Sequence, residues 1–240
     1  MPEPFLSIVI PAYNEASRIG GTLEQVARYA ASKPFPVELI VVDDGSSDPT
    51  LEIVAKFPAV RVVRNDRNRG KGFTVRHGVL ESRGQLILFS DADLSTPIEE
   101  ADKLIAALGK TRADAAIGSR ALQRELIGVH QPFFREAAGR GFNLLVRLFT
   151  GLKLRDTQCG FKLFRRESTR RAFELQRAVG FGFDPELLFL IERLGGKIIE
   201  VPVRWNDNPA TKIRFLRDST HMFLDLLRIR WRAWTGQYPA

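Results

Sequence analysis

Short apolar runs alternate with amphipathic segments through the first half of the chain. Five such runs are rich in β-branched and aliphatic residues and predict strands, at residues 6–10, 39–42, 60–63, 86–89 and 115–118. Between the first two runs, apolar residues recur at helical spacing over residues 15–31. This alternation of strands and helices predicts an α/β fold of three layers with a mostly parallel central sheet.

The second half of the chain is less regular. Its patterns predict three helices and a strand, at residues 135–150, 166–175, 185–194 and 197–203, respectively. Residues 213–234 predict a long basic amphipathic helix that carries several aromatic side chains. We expect residues 5–212 to form one domain, with a change of character near residue 120 that divides it into halves at about 5–120 and 121–212.

The charge of the chain narrows the classes of ligand. The chain has 240 residues, 44% of them hydrophobic, and a formal net charge of +8, which together indicate a globular protein that attracts anions. Nucleic acid, anionic lipid and phosphorylated substrates all meet that description. The sequence has no zinc-finger spacing, RNP-like aromatic motif or basic zipper, so we do not expect nucleic acid as a partner.

The sequence also bears on location. Cys159 is the one cysteine, so an intrachain disulfide is impossible, which fits a reducing cytosol. The first residues lack the basic and apolar regions of a signal peptide. No run of about 18 apolar residues occurs, so no membrane-spanning helix is expected. We expect a cytoplasmic protein that is either soluble or peripheral on a membrane.

Polar motifs follow three of the predicted strands directly. They are Pro11-Ala12-Tyr13-Asn14-Glu15, Asp43-Asp44-Gly45-Ser46-Ser47-Asp48 and Asp91-Ala92-Asp93. In open α/β sheets, ligands bind beyond the carboxyl ends of the strands. All three motifs are therefore expected to line one cleft.

The pair Asp91 and Asp93 is a candidate metal site. Two carboxylates one residue apart in a turn can both present oxygen to Mg²⁺ or Mn²⁺, which usually complete their coordination with substrate phosphates. Such a cation would neutralise a diphosphate leaving group. The structural alternative is an ordinary turn, where Asp is common. The buried strand before the pair and the two neighbouring motifs favour the metal.

Two further segments are candidates for binding a nucleotide. Asp43 and Asp44 could accept hydrogen bonds from a base or a ribose, although a capped β-to-α turn would account for part of that motif. Asn68-Arg69-Gly70-Lys71-Gly72 begins a predicted helix, where exposed amides and Lys71 could hold a phosphate. A solvated basic turn would look the same.

Taken together, these motifs resemble those of family 2 inverting glycosyltransferases of the GT-A fold. The segment around Lys71 and Asp156-Thr157-Gln158-Cys159-Gly160-Phe161-Lys162-Leu163-Phe164 narrow the resemblance to the dolichyl-phosphate glucosyltransferase branch, close to dolichyl-phosphate mannosyltransferases. The resemblance runs from about residue 6 to residue 212 and identifies that stretch as a catalytic domain with a nucleotide half and an acceptor half.

The resemblance implies a role for individual residues. Those implied to contact the nucleotide sugar are Pro11, Tyr13, Glu15, Asp44, Lys71, Asp91 and Lys212. Asp91 and Asp93 become the metal residues, and the glutamine that follows them in mannosyltransferase relatives is replaced by Ser95. Arg120 and Arg135 are implied to meet the acceptor phosphate.

The implied reaction transfers a hexose, with glucose from UDP-glucose favoured, to a polyprenyl phosphate with inversion. Asp156 is expected to bind a sugar hydroxyl or to order the site, with a turn-capping carboxylate as the structural alternative. Helix 213–234 is expected either to contact the cytoplasmic face of a membrane or to pack on the domain. The alternatives are a GDP-mannose-dependent enzyme, transfer to a saccharide hydroxyl, a sugar nucleotidyltransferase and a non-catalytic nucleotide-binding module.

Overall fold

The strands and helices are those of an α/β protein. A computed structural model describes residues 3–129, 132–207 and 215–238. The strands are β1 (Leu6–Ala12), β2 (Val37–Asp43), β3 (Val60–Arg64), β4 (Leu86–Ser90), β5 (Ala115–Ser119), β6 (Ile127–Val129), β7 (Phe161–Arg165), β8 (Ile198–Pro202) and β9 (Trp205–Asn206). The helices are α1 (Ile19–Ala31), α2 (Thr50–Val54), α3 (Lys71–Glu81), α4 (Ala101–Lys110), α5 (Phe133–Thr150), α6 (Arg166–Leu175), α7 (Phe183–Arg193) and α8 (Phe215–Trp234).

Seven of the strands form the central sheet, in the order β3-β2-β1-β4-β7-β5-β8. Every neighbouring pair is parallel except those that involve β7, which runs antiparallel to both β4 and β5. Strands β6 and β9 form a separate parallel pair. The predicted three-layer α/β fold with a mostly parallel sheet is therefore confirmed.

Alternate residues of the strands face two different hydrophobic clusters. On β1, Ile8 and Ile10 pack in one cluster with apolar residues of α1 and α4, whereas Val9 packs in the other with residues of α3, α6 and α7. All three side chains are buried. Because helices cover both faces, the central strands are mostly apolar and do not alternate between apolar and polar residues, as their apolar runs predicted.

Strand β7 was not predicted, and it is the strand that completes the site. In the antiparallel register, Phe161 lies opposite Ser90 at the end of β4, and Lys162 lies opposite Ile117 near the end of β5. The start of β7 thus lies at the edge where its parallel neighbours end. The segment before it, which begins at Asp156, is brought to that same edge.

Several predicted boundaries differ from the structure. Helix α1 begins at Ile19 rather than residue 15, because the amide of Glu15 donates to Thr50 Oγ1 and the carbonyl of Glu15 accepts from the amides of Arg18 and Ile19. Helix α5 begins at Phe133, two residues earlier than predicted. The remaining predicted elements lie within two residues of their predicted bounds at the ends that the structure describes.

Candidate active site

The loops after β1 and β2 are joined by side-chain hydrogen bonds. Asn14 adopts a left-handed conformation with φ of 54°, and its amide donates to Ser46 Oγ over 2.9 Å. In return, Asn14 Oδ1 accepts from the amide of Ser47 at 2.8 Å. An asparagine tolerates this backbone conformation better than most residues. The first two polar motifs therefore form one rigid surface, as the strand-end argument predicted.

The residues predicted to contact the nucleotide lie in different surroundings on this surface. Pro11 is in β1, paired with Val42, and Tyr13 is exposed at the end of that strand. Glu15 forms an ion pair of 2.5 Å with Arg18. Their contact with a nucleotide remains a prediction.

Asp44 is buried and holds the loop that precedes α3. Its Oδ1 accepts from Asn65 Nδ2 at 2.7 Å and from the amide of Arg69 at 2.8 Å. Its Oδ2 accepts from the amide of Gly70 at 2.9 Å. Whatever contact Asp44 makes with a nucleotide, its carboxylate fixes the backbone that presents Lys71.

Lys71 joins the loop before α3 to the loop after β4. Its Nζ lies 2.7 Å from Asp91 Oδ1. On the other side, Asp91 packs against Gly160, where an added Cβ would lie 1.9 Å from Asp91 Oδ2. The amide of Asp91 also donates to the carbonyl of Gly160. The start of β7 thus determines where the Asp91 carboxylate lies.

Asp91 and Asp93 line one recess, together with Ser95, Gly160 and Trp205. The amide of Ser95 donates to Asp93 Oδ1 at 3.0 Å, which orients that carboxylate. The described part of the chain contains no group of three acidic, histidine or cysteine side chains placed to enclose a cation. A two-carboxylate donor set of this kind fits Mg²⁺ or Mn²⁺ that completes its shell with water and donor phosphates.

Arg120 and Asp156 form a bidentate ion pair. Arg120 directly follows β5, and Asp156 begins the segment before β7. Arg120 Nε donates to Asp156 Oδ2 at 2.7 Å and Nη2 donates to Oδ1 at 2.8 Å. Burial alone would raise the pKa of Asp156, but the charge and hydrogen bonds of Arg120 lower it to about 2. The carboxylate that pairs with Arg120 is therefore that of Asp156, while Glu136 pairs with Arg124.

Glu200 supports this pair from the adjacent strand β8. Its Oε1 accepts from the amide of Asp156 and from Ser119 Oγ, at 2.9 and 2.8 Å. Its Oε2 accepts from the amide of Arg155 at 2.8 Å. In this structure the Asp156 carboxylate therefore orients Arg120. A contact between Asp156 and a sugar hydroxyl remains a prediction.

The structure says less about the other two predicted basic residues, Arg135 and Lys212. Arg135 lies in the first turn of α5, half-buried, with its guanidinium 6.0 Å from the ring of Phe134. Its role at the acceptor phosphate remains a prediction. Lys212 lies outside the described residues.

A second lysine–aspartate pair, Lys162 with Asp184, was not predicted from the sequence. Lys162 Nζ donates to Asp184 Oδ1 and to the carbonyl of Cys159, each at 2.6 Å. Burial raises the pKa of Asp184, while the charges of Lys162 and Lys71 act in the opposite direction. The signal in the sequence was a lysine within the otherwise apolar run Phe161-Lys162-Leu163-Phe164.

Comparison with known protein families identifies this chain from most of its length. Residues 7–173 match the family described as glycosyl transferase family 2. The chain belongs to glycosyl transferase family 2. The matched span includes both metal candidates, Lys71 and the Arg120–Asp156 pair.

Within this family, the glycosyltransferase is similar to proteins named dolichyl-phosphate beta-glucosyltransferase. It is 38% identical to the protein of Drosophila melanogaster over 254 residues and 36% identical to that of Homo sapiens over the same length. Both alignments cover 99% of this chain and 78% of the relative. The predicted resemblance to the glucosyltransferase branch is thereby confirmed.

Solved structures confirm the fold of this family 2 glycosyltransferase. Glucosyl-3-phosphoglycerate synthase from Mycobacterium tuberculosis in complex with UDP matches it with a TM-score of 0.69 at 21% identity, over 95% of this chain and 80% of that one. Mannosyl-3-phosphoglycerate synthase from Rubrobacter xylanophilus matches with a TM-score of 0.70 at 19% identity, over 99% and 76%. At these identities the likeness establishes the GT-A fold.

Proposed function

We propose that this enzyme transfers glucose from UDP-glucose to dolichyl phosphate or a related polyprenyl phosphate, with inversion to a β-linked product. The observation that carries the proposal is the similarity over nearly the whole chain to dolichyl-phosphate beta-glucosyltransferases. The family match favours it over a sugar nucleotidyltransferase or a non-catalytic module.

The donor side needs a positive charge where the diphosphate leaves. Asp91 and Asp93 would hold Mg²⁺ or Mn²⁺, which supplies that charge when bound. A structure of the mycobacterial glucosyl-3-phosphoglycerate synthase with Mn²⁺ and UDP-glucose supports a divalent cation on this fold. Lys71, whose ammonium group is beside Asp91, is placed to donate to the diphosphate.

The acceptor side needs cations rather than a base. A polyprenyl phosphate is already an anion near neutral pH, so no side chain has to remove a proton from the nucleophile. Arg120 uses Nε and Nη2 for Asp156, so its Nη1 group would donate to the phosphate. Asp156 thus orients Arg120, and Arg135 and Lys212 would add charge to hold the acceptor in line with the donor.

We propose further that the enzyme works at the cytoplasmic face of a membrane. Helix α8 packs against α5 and α7 through buried Leu226 and Ile229, so one of its faces belongs to the domain. Its opposite face exposes Leu227, Trp231 and Trp234. Packing on the domain and contact with a membrane are thus compatible for α8, because each involves a different face of the helix.

The neighbouring helix α5 extends the exposed apolar surface of α8. Leu144 and Leu148 of α5 are exposed, and Phe149 contacts the ring of Phe223 on α8. Exposed arginines on the two helices include Arg140, Arg147, Arg228 and Arg230. Aromatic and basic side chains together suit an anionic lipid surface. Among the described residues, no helix is both long and apolar enough to cross a bilayer.

The decisive experiment offers purified protein a choice of labelled donors. UDP-glucose, GDP-mannose and UDP-N-acetylglucosamine would each be incubated with dolichyl phosphate and Mn²⁺, with and without EDTA. We expect label to enter the lipid phase from UDP-glucose alone and only without EDTA. Proton coupling constants of the product should report a β linkage. Transfer from GDP-mannose alone, or no transfer to the lipid from any of the donors, would contradict the proposal.

A further inference from the structure

The proposed reaction requires Asp91 as a metal ligand, but the positively charged side chain of Lys71 already pairs with its carboxylate. Its Nζ lies 2.7 Å from Asp91 Oδ1, within direct ion-pair distance. The rings of Phe89 and Phe181 lie on either flank, with centroids 5.5 and 5.6 Å from the same nitrogen. A divalent cation on Asp91 would therefore meet a resident ammonium group, and two cations so close repel each other.

A lysine side chain carries a positive charge at neutral pH. The Lys71 ammonium group therefore stabilises the Asp91 carboxylate by direct contact in the absence of any other cation.

The backbone that carries Lys71 is fixed, while its side chain is long enough to move. Asp44 accepts hydrogen bonds from the amides of Arg69 and Gly70, which directly precede Lys71. Gly70 has φ of 96°, and an added Cβ there would lie 2.5 Å from the carbonyl oxygen of Val179. Movement of the ammonium group is thus confined to the four-carbon side chain, which is flexible in lysine.

We propose that Lys71 is an internal counter-ion for Asp91, displaced when a divalent cation binds, and that the donor diphosphate accepts the displaced ammonium. The proposal rests on the proposed function, because it takes the metal and diphosphate from it. Without nucleotide, the cation must separate Lys71 from Asp91 and deprive it of its ion-pair partner. With nucleotide, the diphosphate replaces Asp91 as its partner. Metal and nucleotide therefore tighten each other's binding, and the coupling is reciprocal.

The test measures Mn²⁺ binding rather than turnover. Free Mn²⁺ would be followed by its electron paramagnetic resonance signal in titrations of wild type, Lys71→Met and Lys71→Arg, each with and without UDP. We expect Lys71→Met to bind Mn²⁺ roughly tenfold more tightly than wild type without UDP, the low end of the effect of a charge at this distance. The additional tightening caused by UDP should shrink in that variant.

Two variants serve as controls. Lys71→Arg keeps the positive charge and should keep the weak binding of wild type without UDP. Arg69→Met removes a charge two residues away that lies over the ring of Phe73, and it too should bind Mn²⁺ as wild type does. Circular dichroism of every variant checks that the fold is retained. Equal tightening in Lys71→Arg would show that charge is not the cause and would overturn the proposal.

The same titrations separate this inference from the proposed function. If wild type binds no Mn²⁺ even with UDP, the donor site itself has been misassigned. If wild type binds Mn²⁺ with UDP but Lys71→Met binds it no more tightly than wild type without UDP, the metal site stands and the counter-ion role of Lys71 is wrong.

Discussion

Two lysine–aspartate pairs lie close together at the carboxyl edge of the sheet, and they differ in burial rather than in geometry. Lys71 and Asp91 are 2.7 Å apart, with side chains 24% and 32% exposed. Lys162 and Asp184 are 2.6 Å apart, with side chains 0% and 7% exposed. A partly exposed pair can exchange its partners for a metal and a phosphate, whereas a buried pair has nothing else to bind. We therefore expect similar contacts to serve binding at Lys71–Asp91 and stability of the fold at Lys162–Asp184.

Removing the lysine should destabilise the fold much more in the buried pair than in the partly exposed pair. Lys162→Met leaves Asp184 buried without its counter-ion, and such a loss costs about 3–5 kcal/mol of unfolding free energy. Lys71→Met removes a pair that solvent screens, at a cost of about 1 kcal/mol or less. Urea unfolding of both variants beside wild type measures the difference. Equal losses would mean that burial does not separate the two pairs.

Substitution of a candidate metal ligand should cause a large loss of activity and little loss of stability. Asp93→Asn keeps the shape of the side chain but removes the charge of a proposed metal ligand. We expect its kcat to fall on the order of 10²–10³, the usual loss when one such electrostatic element is removed. Asp66→Asn, an exposed carboxylate paired with Arg69, is the matched control and should retain activity. Full activity of Asp93→Asn, or of wild type in EDTA, would contradict the metal assignment.

The Arg120–Asp156 pair combines a partly exposed arginine with a buried aspartate, with side chains 27% and 8% exposed. Its contribution to stability depends on pH. The folded pKa of Asp156 is about 2, below its ordinary value of 3.8, so the pair stabilises the fold above that ordinary value and loses its effect as pH falls through about 2. The shift corresponds to on the order of 2 kcal/mol.

Wild type and Asp156→Asn, unfolded with urea at several pH values, test this dependence. The difference in unfolding free energy between them should be largest near pH 6 and should narrow from about pH 4 towards pH 2. A difference that is constant, or that widens on acidification, would show that Arg120 does not depress the pKa of Asp156.

A substitution of Arg120 that keeps its charge should weaken binding of the acceptor without changing binding of the donor. Arg120→Lys can still pair with Asp156 but cannot offer a second planar edge to a phosphate. We expect the KM for dolichyl phosphate to rise roughly tenfold, because a lost hydrogen bond to a charged group costs about 1.5–3 kcal/mol. UDP affinity, measured by calorimetry, should stay unchanged. A matching loss of UDP affinity would move Arg120 to the donor side.

Local patterns were sufficient to predict the part of the site that follows the parallel strands. Each strand is a short apolar run, and the polar residues directly after it lie at the ligand-binding edge by the general rule for such sheets. Asp44, Asp91 and Arg120 could be placed in this way. Within the described residues, the predicted strands and helices of both halves exist, with shifts mainly at their ends.

Partners distant in sequence could not be predicted. The position of Lys162 within an apolar run gave no indication of a buried ion pair, because a buried lysine needs a counter-ion that only the fold supplies. Asp184 is 22 residues away, at the start of α7. Asp156 likewise pairs with Arg120 from 36 residues away, through an antiparallel strand that the alternation of strands and helices did not predict.

The smallest expected effects concern the exposed face of α8, where each side chain contributes a little to binding at a surface. Arg228 and Arg230 are exposed, and Arg228 contacts only its own helix neighbour Asp225 in the interactions described. Arg232 is unsuitable for this test because it lies 3.2 Å from buried Glu186 and helps to hold the helix on the domain.

Arg228→Gln with Arg230→Gln should therefore weaken binding to anionic vesicles by roughly 1 kcal/mol per residue without changing the unfolding free energy. Co-sedimentation with phosphatidylserine-containing and with neutral vesicles, at low and high salt, measures this loss. The paired control is Arg170→Gln with Arg171→Gln, two arginines that pair with Glu174 within helix α6, away from the exposed face of α8. If vesicle binding is the same in the α8 variant and in wild type, the exposed face of α8 does not contact lipid, and the proposed membrane location loses its structural support.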